Sequence, residues 1–530
     1  MKENLATVLE TVSDELGDRP ALVHGDRIRS WYDFDDRAAR LAGFLDGRGV
    51  RAGDRVAISL FNGIEYVESL FAILKLRAVP VNVNYRYKET ELRHVFQDAG
   101  VRAMVLDPML AHRVAATAHG MHTFVQLSTV DNPLAATAYA EAVSGPPLPR
   151  RVRGDDEWLL YTGGTTGQPK GVLARHSWVF RVCEQSGYTV RGLPVPQTLT
   201  ELVTVTRRIR DGDDRLVCLP FAPLMHGSGI YNTLATLFGA GTVVYMAGRS
   251  YDPVEAATLL DRHRVTDIGL VGDVFARPLA DELDAAAAAG RPYDLSHLRR
   301  LRSVGLTFSA EVKERLLAHG DFACYDSIVA SEGGPFALAV TRRGDPVTTA
   351  RFTLAPRARL IGDDGRDVAP GSGQVGVLAA PTDDHIHYLG NEAASARTFR
   401  VIDGQRYVVP GDLASLEADG ALVFKGRGSG IINTGGEKVF AEEVEQVICR
   451  HPAIRDAMVV GVPDERWGHR IVAVVAADEG VTTDEVRSFV GRHLADHKQP
   501  RRVVVLPELR RSPAGKADLE WAREVAAAAE

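Results

Sequence analysis

The sequence predicts an α/β protein: a large N-terminal domain of parallel α/β sheets carrying a small antiparallel barrel, then a small mobile C-terminal α+β domain. Three observations predict it. Helical and strand patterns alternate ahead of residue 355, the strands shorten and crowd together beyond it, and the pattern changes again after the Gly/Ser segment Gly426–Gly430. Alternation implies a parallel sheet covered on both faces. Closely spaced strands with Gly and Asp turns imply an antiparallel meander or barrel. A short Gly/Ser segment reads as a hinge. At 530 residues the chain also exceeds one ordinary core, which stops growing near roughly 250–300 residues.

Taken in order, "MKENLATVLETVSDELGDRP" is an acidic amphipathic pattern without the apolar centre of a signal peptide. "ARLAGFLDGRGV" predicts a helix ending at Gly47 or Gly49. "DRVAISL" predicts a strand, "EYVESLFAILKLRAV" an amphipathic helix, and "VPVNV" and "RAMVLD" further strands. The pattern recurs at "HTFVQL", "TVVYM", "VTDIGLVG" and "LRSVGL". Residues 184–215 have little periodicity and several turn formers, which predicts an extended loop with one short helix at most. "RARLIGDDGRDV", "GQVGVLAA" and "RYVVPGDLASLEADGALVFKGR" are the short strands. Past the hinge, "VFAEEVEQVICRH" puts Phe440, Val444, Val447 and Ile448 on one helical face. Strands "DAMVVGV" and "RIVAVVAA" follow, then a helix from Thr482 with a Thr-x-x-Glu capping box to Glu485. A strand "RRVVVL" and a loop "RRSPAGKAD" finish the chain. The expected domains are 1–428 and 429–530.

Lys plus Arg total 62 against 69 Asp plus Glu, a net charge of −7, which argues against a general nucleic-acid binder. Cys183, Cys218, Cys324 and Cys449 have no Cys-x-x-Cys spacing and read as scattered thiols in a reducing compartment. No run approaches the roughly 18 apolar residues of a membrane span, so the expectation is a cytoplasmic protein with no transmembrane segment.

The most informative stretch is "YTGGTTGQPKG", Tyr161 to Gly171, directly after the apolar strand "DEWLL". A strand running into a Gly-rich turn presents backbone N–H groups to phosphate. Thr162, Thr165 and Thr166 add hydroxyls, Lys170 adds a cation, and nothing is acidic. The guest is therefore an anion with several oxygens. The stretch is not a Walker A loop, because Lys170 is followed by Gly171 and the glycine spacing is absent.

With this loop the chain resembles the adenylate-forming superfamily: acyl-CoA synthetases, peptide-synthetase adenylation domains and luciferases. "VNVNYRYKETELRHVF", "VGDVFARPL", "GRGSGIINTGGEKVFAEEVE" and "VGVPDERWGHR" are most similar to actinobacterial fatty-acyl and steroid-acyl CoA synthetases. The resemblance covers nearly the whole chain and implies ATP, Mg²⁺ and CoA. It gives ATP to Thr162, Gly163, Gly164, Thr165, Thr166, Gly167 and Lys170. It sets Asp326 on the adenine amine with Ser327 and Ile328 beside it, Ser331 before the Mg²⁺ ligand Glu332, Asp412 on the ribose hydroxyls and Arg427 on ribose and phosphate. His226 of "PLMHGSG" then lies beside the substrate carboxylate, and Tyr231 faces an acyl pocket with Val271, Gly272, Asp273, Phe275 and Gly305. Lys516 of "RRSPAGKAD" inserts during adenylation, where a mobile cation offsets the repulsion between carboxylate and α-phosphate. Ser429 holds the hinge position. Gly435, Gly436, Glu437 and Lys438 of "NTGGEKVF" line the pantetheine channel once the small domain rotates.

The chain departs from the family pattern at several positions. Ile328 and Val329 replace an aromatic and a glycine, Val304 replaces a glycine, and Ser429 replaces an acid or lysine. The expected activity is ATP- and Mg²⁺-dependent conversion of an apolar carboxylic acid, bulky or polycyclic acids included, to acyl-AMP and then to the CoA thioester. One rival is an enzyme that stops at acyl-AMP, or passes it to a carrier protein or second enzyme in natural-product (antibiotic) biosynthesis. The other is a non-catalytic nucleotide binder, disfavoured by the joint presence of Lys170, Glu332, Asp412, Arg427 and Lys516. Many members of the family are homodimers, and the resemblance carries that expectation here.

Overall fold

The structure is a computed structural model that describes residues 1–162, 169–434, 437–464, 468–477, 480–494, 496–512 and 515–529. Among these residues, three sheets form. One has eight strands: the parallel set Val79–Asn82, Arg55–Ser59, Val101–Leu106, Thr123–Gln126 and Thr137–Ala138, extended at the Val79–Asn82 edge by Glu157–Thr162, Lys170–Arg175 and His387–Tyr388. The second has fifteen. Its parallel part runs Pro20–His24, Thr242–Tyr245, Val217–Pro220, Asp267–Leu270, Arg300–Val304 and Ala323–Ala330. Thr242–Tyr245, Val217–Pro220 and Asp267–Leu270 are buried at every residue, as strands covered on both faces are, while Arg300–Val304 and Ala323–Ala330 carry polar residues among the apolar ones. The antiparallel strands expected beyond residue 355 form. They continue the parallel sheet through Gly333–Thr341 and Arg351–Leu354 rather than standing apart.

The sheet membership changes at the hinge. Leu422–Arg427 is the last strand on the large sheet, a tight turn covers Gly428–Gly430, and Ile431–Thr434 opens a separate five-stranded sheet. Ala441–Ile448 and Thr483–Gly491 pack on it, with Thr482 Oγ1 accepting from Glu485 N at 3.2 Å as the capping pattern predicts. Phe440 is the residue before the first helix, and the buried face is Ala441, Val444, Val447 and Ile448. A further helix, Leu519–Ala528, closes the chain and was not expected.

Residues 184–215 correct the sequence reading. His176–Gly187 is a helix, and Leu199–Asp211 is a second, capped by Thr198 accepting from Glu201 N. Its buried residues Leu202, Val205, Thr206 and Ile209 follow helical spacing and pack on the first helix, Leu5–Leu16. The Val and Thr content lowers the intrinsic helix preference, and burial of that face overrides it. No helix among the described residues is long and apolar enough to cross a membrane.

Candidate active site

The strands that flank the Gly-rich stretch pair antiparallel, Thr162 with Lys170 and Tyr161 with Gly171. Gly163, Gly164, Thr165, Thr166 and Gly167 lie outside the described residues, as do Gly435 and Gly436 and the side chains of Arg427, Ser429, Glu437 and Lys438. The base of the hairpin is fixed from beneath. Asn82, at the end of its strand and 7% exposed, accepts from Tyr161 N at 2.6 Å and donates to Tyr161 O at 2.9 Å. The same amide donates to Met225 O at 2.6 Å. One side chain therefore ties the phosphate hairpin to the residue before His226. His94 closes the other end of the turn, its Nε2 donating to Pro169 O at 2.9 Å.

His226 caps the helix Gly227–Phe238, which follows the strand Val217–Pro220. Asn62 holds the approach, accepting from Leu224 N at 2.7 Å and donating to Ala222 O at 3.2 Å. Gly229 permits the tight entry, since a Cβ there would stand 2.3 Å from Pro223 O. His226 Nε2, Tyr231 Oη and Trp158 Nε1 are buried with no hydrogen-bond partner among the described residues. Tyr231 lies between the rings of Trp158 and Trp178, at 6.3 and 6.2 Å. Burial, with the charges of Lys516 and Arg86 nearby, pushes His226 down to about 3. The imidazole is thus neutral, and a neutral ring with an unpartnered Nε2 suits an anionic or carbonyl oxygen.

Glu332 follows the strand Ala323–Ala330 and accepts from Tyr388 Oη at 2.6 Å. The Tyr388 ring in turn has Lys170 Nζ 5.3 Å from its centre, so Lys170, Tyr388 and Glu332 form one group. Sequence reasoning missed Tyr388 and Asn82. Asn82 stands in the quoted stretch "VNVNYRYKETELRHVF" without having been singled out, Tyr388 stands in none, and both act through strands brought together by the fold.

Asp326 is buried and paired within the fold. It is 5% exposed, its Oδ2 accepts from Lys313 Nζ at 3.0 Å, and burial raises it to about 6. Strand alternation turns Asp326 and Ile328 inward and leaves Ser327 partly exposed. The Asp326 carboxylate is committed to a buried lysine rather than open to an adenine. Val271 and Phe275 are core residues too. Phe275 packs edge-on to Tyr251 at 5.1 Å, beside Phe221. Gly272 N donates to Ser303 Oγ and Asp273 Oδ1 accepts from Ser309 N, which binds this turn to the loop of Gly305. Gly305 itself is exposed. Asp412 is buried at the start of its strand, its backbone paired with Arg427.

Lys516 comes from the small sheet unit. Arg511 and Ala517 bridge at the base of its loop, and Arg511 holds Asp456 by two 2.6 Å bonds while donating to Gly515 O at 3.0 Å. Gly515 has φ +74°, and a Cβ there would meet Leu306 Cδ1 at 2.7 Å. The loop therefore rests on the residue after Gly305, with the Lys516 charge felt by His226.

The chain matches two family models, the AMP-binding enzyme over residues 9–380 and the AMP-binding enzyme C-terminal domain over residues 443–516. It is 36% identical to a 3-oxocholest-4-en-26-oate–CoA ligase of Rhodococcus rhodochrous, covering 99% of this chain and 96% of the relative. It is 35% identical to a medium/long-chain-fatty-acid–CoA/3-oxocholest-4-en-26-oate–CoA ligase of Mycolicibacterium smegmatis, covering 99% and 97%. Among solved structures, the anthranilate CoA ligase AuaEII with anthranoyl-AMP shares the fold at TM-score 0.83 and 21% identity, covering 99% of this chain and 98% of that one. ATP-bound MatB of Rhodopseudomonas palustris shares it at 0.77 and 24%, covering 99% of both. The chain belongs to the AMP-binding enzyme family, in the acyl-CoA synthetase branch of the adenylate-forming superfamily.

Proposed function

We propose that this chain, an AMP-forming acid–thiol ligase, activates a bulky or long apolar carboxylic acid with ATP and transfers it to CoA. The observation that carries this reading is His226 Nε2, buried and unpartnered among the described residues, within reach of the charge of the Lys516 loop that sits against Leu306. A carboxylate oxygen attacks the α-phosphorus of ATP, the bond to the β-phosphate oxygen breaks, and pyrophosphate leaves. Lys516 offsets charge that develops at the α-phosphate, and the Thr162–Lys170 hairpin holds the leaving phosphates. His226 and Tyr231 orient the acid. Asp412 and Arg427 hold the ribose.

The residues fit a Mg²⁺ that Glu332 would hold: Glu332 keeps its second oxygen free of hydrogen bonds and ion pairs among the described residues, and Mg²⁺ takes few protein carboxylates. Bound there by Glu332, it would neutralise phosphate charge.

For the second step, residues 429–530 rotate on the Gly428–Gly430 turn, withdraw Lys516 and bring Gly435, Gly436, Glu437 and Lys438 to the thiol channel. The CoA sulfur attacks the acyl carbon, its proton passes to solvent, the carbon–oxygen bond to AMP breaks, and AMP leaves. The relatives named for steroid and fatty acids support the acid class. The same reading places the chain in the cytoplasm, as a homodimer. Pyrophosphate release against fatty and steroid acids, with and without CoA, tests the proposal. Acid-dependent release with thioester product supports it. Release without thioester would instead mean an enzyme that hands acyl-AMP to a carrier protein or partner.

A further inference from the structure

Behind the helix Gly227–Phe238, three arginines meet two carboxylates. Arg191 Nη2 pairs with Asp214 at 3.2 Å. Arg300 holds Asp267 through bonds of 2.8 and 3.0 Å, and Thr266 Oγ1 donates to the same carboxylate at 2.8 Å. Arg302 is left over. Its Nη2 stands 3.9 Å from the occupied Asp267 and 3.7 Å from Cys218 Sγ. Its Nε and Nη1 are buried without a hydrogen-bond partner among the described residues, and the residue is 8% exposed. A desolvated cation with open donors is costly unless an acceptor fills them.

The strand Arg300–Val304 turns Leu301 into one core, so alternation sends Arg302 to the other face. That face looks at the helix that His226 caps. Arg302 is in register with Gly269, where a Cβ would stand 2.7 Å from Asn232 Cγ. The Cys218 thiol beside the guanidinium interacts with Thr236 on the same helix. Arg302 therefore sits between the levels of Asn232 and Thr236, which at 1.5 Å per residue is about 9–15 Å along the helix from His226. Cys183 links the two ends: its thiol contacts Tyr231 O at 3.7 Å and feels the charge of Arg302.

We infer that Arg302 is the distal subsite of the acid site, and that it receives an oxygen acceptor, a keto or carboxylate oxygen, at the far end of the substrate. This rests on the reading of His226 and Tyr231 as the carboxylate end. The acid is then apolar along its length and polar at both tips.

The test compares lauric acid, its penultimate-keto derivative and the matching dicarboxylic acid, on wild type and on Arg302→Met, Arg302→Gln and Arg302→Lys. The readouts are kcat/KM for pyrophosphate release and calorimetric binding of each acid, with melting temperature as the folding control. The inference predicts that wild type favours an oxygenated acid over lauric acid by on the order of tenfold or more. Arg302→Met and Arg302→Gln lose that preference while still using lauric acid, and Arg302→Lys keeps part of it. A stronger effect for the keto acid marks a carbonyl guest, and one for the dicarboxylic acid an anionic guest. Equal use of all three acids by wild type, or an equal loss on all three in the folded variants, would overturn it. Turnover of lauric acid reports on the ligase reading separately. If no acid is turned over, that reading fails, and the binding ratio between wild type and variants still decides the role of Arg302.

Discussion

Lys170 begins a strand paired along its length with Glu157–Thr162, and its ammonium lies 5.3 Å from the centre of the Tyr388 ring. Lys516 sits in a loop closed by a single bridge between Arg511 and Ala517, on a unit joined to the large one through the turn Gly428–Gly430. The first cation is placed by the sheet whatever the rest of the chain does. The second is in place only while its loop rests on Leu306 and Val274. On the proposed function this difference divides the labour: fixed groups would hold phosphate, and the cation needed only for acyl-AMP formation would be the one that can leave.

The contrast can be broken at the loop. In Gly515→Val the side chain meets Leu306 and the residue is forced to φ +74°. A misplaced catalytic group costs on the order of a hundredfold, so acyl-AMP formation should fall about that far. Thioester formation from supplied acyl-AMP should hold near wild type. Single-turnover assays of each half-reaction check this.

The fixed side breaks differently. Asn82→Ala orphans Tyr161 N, Tyr161 O and Met225 O, which should cost roughly 2–3 kcal/mol in urea unfolding. Because the phosphate hairpin and the His226 segment both loosen, it should slow acyl-AMP formation, and a readout confined to stability would contradict the positioning role.

The last effect concerns pH and is confined to acid conditions. His226 goes from 6.5 to about 3 on folding, so the unfolded chain takes up the proton first as acid is added. Stability contributed by this residue is present above pH 6.5 and is lost as pH falls toward about 3, by at most about 1.4 kcal/mol per pH unit. His226→Gln should flatten that slope. The rate of acyl-AMP formation should show no His226 inflection between about pH 5 and 9, as a pH–rate profile will show.

These two regions were also unequally legible in the sequence. The Gly/Thr stretch with Lys170 carries its chemistry in adjacent residues, so its composition exposes it, whereas His226 and Lys516 were legible only through the family resemblance. The pairing of Asp326 with Lys313 was not legible because Lys313 lies on a separate helix, Ala310–Ala318, and only the packed fold brings them together. Asn82 and Tyr388 escaped for the same reason, since each acts across strands distant in sequence. Val271 and Phe275 stand in a motif-like stretch, yet their burial against Phe221 and Tyr251 makes them core. The helix Leu199–Asp211 was hidden by β-branched residues that its buried face overrode.

The most direct test of the account is Lys516→Ala assayed in both half-reactions. The account predicts that acid-dependent pyrophosphate release falls on the order of a hundred- to a thousandfold, the scale for losing one stabiliser of developing charge. Thioester formation from supplied acyl-AMP and CoA should stay near wild type, with an unchanged melting temperature. Equal loss of both steps, or no loss of the first, would contradict the claim that a cation on a separable unit serves only acyl-AMP formation.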